Sequence, residues 1–373
     1  MLQHPKSRTR GRIDWILLGA TAALIALGLM IVYSSSSDLG YREYQNSAYF
    51  FQRQLLWLAI GGAVLFVVSR IEYHHWMKVS ILIMVTTVMM LLLLVLFRKE
   101  RQLLGQSISP VELAKLAVVI YIGHWLASKG DLLRKLPYGL LPFTIMVGIV
   151  AGLVLAQPDI SEAMVIVMVA VAMFFLAGAE LLQFVIGIGG GIGAFVLVIN
   201  QIPQAMSRLQ GWGADWKNPL STTNVQLRQG LLALGSGGLV GLGPGSGRMK
   251  YRWLPAAHTD SIFAIVGEEL GLIGGLLLIG LFALFVYRGF RISAKAPDPF
   301  GRLLASGITC WIGFQALINM AVVTGTMPFT GIALPFISVG GSSLITCLIG
   351  VGILLSISRA VDLTPAPKKE QTD

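Results

Sequence analysis

The chain is divided into apolar blocks about 17 to 25 residues long, and blocks of that length leave few folding options. As an α-helix rising 1.5 Å per residue, each is long enough to cross a hydrocarbon core of about 30 Å. Windows of about 19 residues place ten spans, near 15–33, 51–68, 79–97, 111–127, 140–156, 163–177, 181–199, 262–287, 303–324 and 337–357. Only 12% of the 373 residues are charged and 55% are hydrophobic, against about 25% charged in soluble domains. That balance excludes an ordinary water-soluble protein. The expected fold class is an all-α polytopic membrane protein, with ten transmembrane helices and one long extracytoplasmic loop between helices seven and eight. Gly178, Ala179 and Glu180 alone separate spans six and seven, which predicts a tight hairpin.

The formal charge of +10 raises nucleic acid as a partner, but so few charges spread among spans provide no basic domain to hold one. An anionic lipid or lipid-linked substrate fits better. Cys310 and Cys347 both lie inside apolar spans, which argues against disulfides and thiolate metal sites. The basic N-terminus precedes an apolar run over 14–34, longer than a signal-peptide core, so it reads as a retained first helix. With residues 1–13 inside, 16 of the 28 basic residues fall in cytoplasmic segments and five in the short outer loops and their margins. The short loops carry the orientation signal. Both termini, including the polar tail 361–373, are therefore expected in the cytoplasm, and the loop 200–261 outside. Arg98, Lys99 and Arg101 oppose the rule, and an outer basic patch for an anionic ligand would explain them.

An ionisable residue at mid-bilayer costs about 2.5 to 3.5 kcal/mol on insertion scales, so each one is a functional candidate. Glu112 and Lys115 share a helix face three residues apart behind Pro110; they are either a self-neutralising pair or a cation held towards an anionic ligand. Arg53, between Gln52 and Gln54, either snorkels or forks onto a phosphate. Asp159 and Glu162 have the spacing of a capping box. Asp260 precedes span eight as a candidate N-cap, with Glu268 and Glu269 deeper in that span. Two buried acids require cationic partners, and Lys115 and Arg53 are expected to supply them. The glycines from Gly235 to Gly247 lack the Gly-Lys-Ser/Thr ending of a P-loop, and read as a mobile or tightly turning outer segment.

Two further stretches complete the pattern: Leu254-Pro255-Ala256-Ala257-His258-Thr259-Asp260, running on through Phe263 to Gly271, and Leu334-Pro335-Phe336-Ile337-Ser338-Val339-Gly340-Gly341-Ser342-Ser343. With Pro110 to Lys115 and Gln157-Pro158-Asp159 they occur in the order and spacing of a known family. The chain resembles the SEDS proteins (shape, elongation, division and sporulation), the RodA/FtsW peptidoglycan glycosyltransferases, from span one to span ten. The resemblance implies polymerisation of lipid II into β-1,4 glycan at the outer face of a bacterial cytoplasmic membrane, releasing undecaprenyl pyrophosphate. It places the essential acid at Asp260, and carries the other motif residues over to Arg53, Glu112, Lys115, Asp159, Glu268 and the Ser338 to Ser343 turn, with Ser338 and Ser342. His258 in the Asp260 motif and Lys250 in the outer loop join them as expected substrate contacts. It also implies a class B penicillin-binding protein and elongasome or divisome membrane proteins as partners.

Two departures stand out. The family's Gly-x-x-Arg-Trp before the Pro-Ser-Glu motif is here Arg98-Lys99-Glu100-Arg101-Gln102-Leu103, with Val111 for the serine; and Ala256 replaces the usual glutamate after Pro255. Gly267 and the Thr326-Met327-Pro328 turn lean towards the division branch over the elongation branch.

The expected chemistry gives Asp260 the proton of the acceptor 4-hydroxyl, with Arg53, Lys115 and Arg98 or Lys250 stabilising the departing pyrophosphate. Aspartate, with a reference pKa of about 3.9, is a weak base, so burial near Glu268 or an orienting role is expected. No dedicated metal cluster is visible, although a divalent cation, Mg or Mn, on the pyrophosphate is chemically reasonable. The rival reading is a lipid II flippase or transporter, which needs polar residues through the full membrane thickness. A non-catalytic scaffold would leave Glu268 and Glu269 unexplained.

Overall fold

The computed structural model describes residues 13–97, 109–157, 159–201, 206, 212, 224–328 and 330–361. Its elements are α1 (Trp15–Tyr44), α2 (Tyr49–Arg70), α3 (His74–Leu96), α4 (Pro110–Lys129), a 3-10 turn over Gly130–Arg134, α5 (Leu140–Leu155), α6 (Ile160–Leu176), α7 (Leu181–Gln201), α8 (Val225–Gly237), α9 (Ile262–Lys295), α10 (Pro299–Val323) and α11 (Gly341–Val361). Among the described residues there is no strand. Seven helices are long and apolar enough to cross a membrane: α1, α2, α3, α4, α9, α10 and α11. Helices α5 and α6 and the stretch 181–191 of α7 are apolar but shorter. The Arg98–Arg101 cluster lies outside the described residues, as do the N-terminus to residue 12 and the tail beyond residue 361.

Local chemistry sets the helix boundaries. Asp14 caps α1 through the Leu17 amide, at 2.9 Å, and Asp298 caps α10 through the Gly301 amide, at 2.9 Å, ahead of Pro299. Each uses its carboxylate to satisfy an orphan N–H of the first turn. Both caps also join helix ends. Arg288 of α9 grips the Asp14 carboxylate at 2.5 Å, and the Tyr73 hydroxyl, just before α3, donates to Asp298. Burial, reinforced by that hydrogen bond, pushes the Tyr73 phenol well above its ordinary range.

The helices divide into an inner and an outer set. In α10 and α11, 72% of the central window is buried within the protein, against 17% in α2, so α2 turns most of its apolar surface outwards. Helix α11 packs along α2, α10 along α9, α4 and α6, and α1 along α9 and α2.

Helix α9 departs most from its predicted form. It breaks at Gly271, whose φ of 67° and ψ of −167° fall in a region open essentially to glycine alone. A straight helix would separate Phe263 from Gly275 by about 18 Å, yet the Phe263 ring tip lies 3.9 Å from where a Cβ on Gly275 would stand. The half-helix 262–270 therefore folds back on the rest of α9. At the break, the Leu242 and Gly243 amides donate to the Glu268 and Glu269 carbonyls, while the Leu272 and Ile273 amides donate to the Gly238 and Leu239 carbonyls. The glycine-rich segment is thus a turn docked on α9.

Three other expectations need correction. Helix α11 begins at Gly341 rather than 337, because 334–339 forms a turn with Phe336 at φ 65°. The segment between α7 and α9 contains a helix of its own, α8, capped by Asn224. Asp260 is not the cap of α9: Ser261 occupies that position and makes no side-chain capping bond.

Candidate functional site

The Asp260 neighbourhood is built where two non-helical segments run together. The Val339 amide donates to the His258 carbonyl at 3.0 Å, and the Ser338 hydroxyl donates to the Thr259 carbonyl at 2.7 Å. That hydroxyl also accepts from the Leu334 amide at 2.8 Å, so Ser338 pins both segments at once. From α2, the Gln54 side-chain amide donates to the Ser338 carbonyl at 3.3 Å and accepts from the Gly340 amide at 3.4 Å. Arg53, the preceding residue of α2, is half-buried. From α10, Asn319 donates to the carbonyls of Asp260 and Ile332, at 2.9 and 2.7 Å. The Asp260 carboxylate, itself half-buried, lies over Gly331: a Cβ there would stand 2.5 Å from Oδ2. His258 stacks obliquely on Phe50, ring centroids 5.4 Å apart, and burial lowers its pKa. Ser342, in the first turn of α11, accepts from the Ser109 amide at 3.0 Å, tying α11 to the start of α4.

A second cluster centres on Lys115. Its ammonium contacts Glu112 and Glu162, each at 2.8 Å, and donates to the Gln315 side-chain carbonyl at 2.7 Å. Asp159, at the N-cap of α6, accepts from the Glu162 amide at 3.4 Å, so the N-cap half of the expected capping box is present, while the Glu162 carboxylate goes to Lys115. Gln315 donates in turn to the Ala333 carbonyl at 2.9 Å. Gln315 and Asn319, four residues apart on one face of α10, thereby hang the Lys115 cluster and the Asp260 backbone on the same 332–333 segment.

The third cluster overturns the expected pairing of Glu268 and Glu269 with Lys115 and Arg53. Lys250 pairs with Glu269 at 2.8 Å, both almost wholly buried. Its other two donors go to the Ser34 hydroxyl at 2.7 Å and the Gly245 carbonyl at 2.6 Å. Glu269 also accepts from the Gly245 and Gly247 amides, at 2.9 and 3.3 Å, and Glu268 from the Arg248 and Met249 amides, at 2.6 and 3.2 Å. The glycine turn does cradle anions, but they are the protein's own carboxylates. Glu268 lies at the far end of the half-helix from Asp260, roughly 12 Å along the helix, so it does not contribute to burying that carboxylate.

An ammonium has three donors; Lys250 has all three in hydrogen bonds, and Lys115 faces three oxygens within 2.8 Å, two of them in ion pairs. Among the described residues, no group of three or more His, Cys, Asp and Glu side chains is placed to hold a metal ion.

The family profile for FtsW, RodA and SpoVE, described as cell cycle proteins, matches residues 14–362. The chain belongs to the FtsW, RodA and SpoVE family. It is 36% identical to the probable peptidoglycan glycosyltransferase FtsW of Trichlorobacter lovleyi, over 96% of each chain. It is 37% identical to the stage V sporulation protein E of Bacillus subtilis, over 93% of this chain and 97% of that one. Among solved structures, it superposes on a chain of a peptidoglycan synthase complex that coordinates polymerisation and crosslinking, with TM-score 0.73 and 26% identity over 94% of this chain and 99% of that one. The rod shape determining protein RodA of Thermus thermophilus matches with TM-score 0.67 and 25% identity, over 95% of this chain and 98% of that one. Membership of this family, with its several apolar helices, makes the chain a multi-pass membrane protein.

Of the residues singled out from the sequence, the structure brings Ser338 against the His258–Asp260 segment and Glu112 against Lys115. Gln315, Asn319, Ser34 and the part Glu162 plays were not anticipated from the sequence. The first two had a readable signal, since amides at i and i+4 inside an apolar span mark one polar helix face.

Proposed function

We propose that this chain is a peptidoglycan glycosyltransferase that polymerises lipid II into β-1,4 glycan at the outer face of a bacterial cytoplasmic membrane, with both termini in the cytoplasm. The observation that carries the reading is the setting of Asp260: a carboxylate at the mouth of a broken helix, over Gly331, with its backbone held by Asn319. End-to-end similarity to relatives named for this activity supports it.

In the proposed reaction, the 4-hydroxyl of one sugar attacks C1 of the lipid-linked donor. The C1–O bond to pyrophosphate breaks, undecaprenyl pyrophosphate leaves, and Asp260 takes the hydroxyl proton. Direct displacement inverts the α-linked donor to a β linkage. We assign the developing phosphate charge to Arg53, whose planar, forked guanidinium suits a phosphate; Lys115 and Lys250 each face three oxygens of the protein within 2.8 Å. Those two lysines, with Glu112 and Glu268, act by positioning; Asp159, His258, Ser338 and Ser342 line the approach. We assign any divalent cation, Mg or Mn, to the substrate's pyrophosphate.

A crosslinking transpeptidase, a class B penicillin-binding protein, is the proposed partner; the similarity to a complex that couples polymerisation with crosslinking supports it. The test is glycan synthesis from lipid II by the purified chain, with Asp260→Asn as its control. The variant should fold and make no polymer. Polymer at the wild-type rate would refute the role of Asp260. Lipid II translocated across liposomes without polymer would support the transporter reading instead.

A further inference from the structure

The turn over 238–243 has an outer surface that the proposed chemistry does not use. Leu239 and Val240 are 69% and 74% exposed, and Leu242 is 42% exposed. Three large aliphatic side chains presented together on a loop form a patch that water disfavours. Their position shows what meets them. The Leu272 amide donates to Gly238 and the Ile273 amide to Leu239, so the turn lies beside the first residues of α9 beyond its break. From there Leu272, Ile273, Leu276, Leu277 and Ile279 form an exposed apolar face running down α9. In a multi-pass membrane protein such a face meets acyl chains.

Depth follows from the helix rise. Arg288, paired with Asp14 at the start of α1, marks the charged edge of that face on one side. Leu272 is about 24 Å further along the helix, short of the roughly 30 Å thickness of a hydrocarbon core, and any tilt of the helix reduces that height. The turn beside Leu272 therefore reaches hydrocarbon, in the leaflet opposite the Asp14–Arg288 pair.

Irregular backbone is tolerated at that depth only if its polar groups are satisfied within the protein. Here the α9 break meets four of them, two amides and two carbonyls. The Leu242 and Gly243 amides go to the carbonyls of Glu268 and Glu269, the Gly238 and Leu239 carbonyls accept from Leu272 and Ile273, and the Gly241 amide returns to Gly237. We infer that residues 238–243 form a re-entrant turn that inserts Leu239, Val240 and Leu242 among the acyl chains of that leaflet, with the broken helix α9 hydrogen-bonding the turn's backbone.

The inference requires only that the chain lies in a membrane, so it can fail while the glycosyltransferase reading stands, and the reverse. The test is depth-resolved quenching. The full chain carrying Val240→Cys, or in a second preparation Leu239→Cys, is labelled with an environment-sensitive fluorophore and placed in phosphatidylcholine–phosphatidylglycerol vesicles. Cys310 and Cys347 are buried, and the unsubstituted chain measures their background. Leu277→Cys, on the exposed face of α9, serves as the hydrocarbon reference, and exposed Glu43→Cys near the end of α1 as the aqueous one. Labels at 239 and 240 should be quenched by acyl-chain nitroxide lipids as strongly as the label at 277, and several-fold less than the label at 43 by aqueous iodide. Quenching like that at 43 would overturn the inference by placing the turn in water. Quenching by neither agent would overturn it equally, because a second copy of the chain would then cover the patch.

Discussion

Replacing Lys250 by methionine tests the carboxylate cradle most directly. The substitution leaves Glu269 almost wholly buried with its cation gone, and breaking a buried pair in this way costs about 3 to 5 kcal/mol. The Glu269 carboxylate keeps the Ser34 hydroxyl at 2.5 Å and the amides of Gly245 and Gly247, which places the expected cost at the lower end, about 3 kcal/mol. Because the lost contacts hold the glycine turn to α1 and α9, the cost should appear as local opening of residues 238–250. At about 1.4 kcal/mol per tenfold, the opening constant rises on the order of 100-fold. Hydrogen exchange of the Leu242, Gly243 and Gly245 amides, read by mass spectrometry on the purified chain, measures it, with the amides of α10 as an unaffected reference. Adding Glu269→Gln removes the stranded charge and should recover most of the protection. If Lys250→Met raised exchange of the turn less than about tenfold, or if the second substitution made it worse, the pair would not be what holds the turn.

Three further substitutions or conditions probe neighbouring features. Gly271→Ala combines backbone strain of roughly 1 to 3 kcal/mol with a Cβ that would stand 2.3 Å from the Gly241 amide nitrogen; thermal unfolding in detergent should show a lower midpoint, and an unchanged midpoint would contradict the break. Gly331→Ala puts a methyl where the Asp260 carboxylate lies, so glycan synthesis should fall mainly in kcat while exchange protection of α10 stays unchanged. His258 has its pKa lowered by burial, so the unfolded chain binds the extra proton first. Stability is therefore complete above the ordinary histidine value of about 6.5 and falls as pH drops below it, levelling once the folded form is also protonated. Unfolding midpoints measured from neutral to acidic pH should show that slope in the wild type, and less of it in His258→Gln.

The helices could be read from sequence because each span states its case within some twenty residues: an apolar run, a cap such as Asp14 or Asp298, a proline at the first turn. The site was only partly legible, because its decisive contacts join residues far apart in the chain. Lys115 could be matched with Glu112 three residues away, but its second carboxylate, Glu162, and its amide partner, Gln315, arrive from α6 and α10. The same limit misassigned Glu268 and Glu269. Two acids in an apolar span demand counter-charge, and counting the available cations is a sound start, but a carboxylate can also be satisfied by backbone amides, which composition does not distinguish from one another. What makes those amides available is Gly271. Nothing local separates it from Gly274 or Gly275, since glycines in membrane spans commonly serve close packing. Its role depends on the turn over 238–243 approaching from thirty residues upstream. That dependence is mutual: the break frees the Glu268 and Glu269 carbonyls that receive the turn, and the turn satisfies what the break exposes. Each half alone would leave polar backbone unpaired in a membrane protein, so the glycine-rich segment and the Glu268–Gly271 stretch specify one structure only in combination.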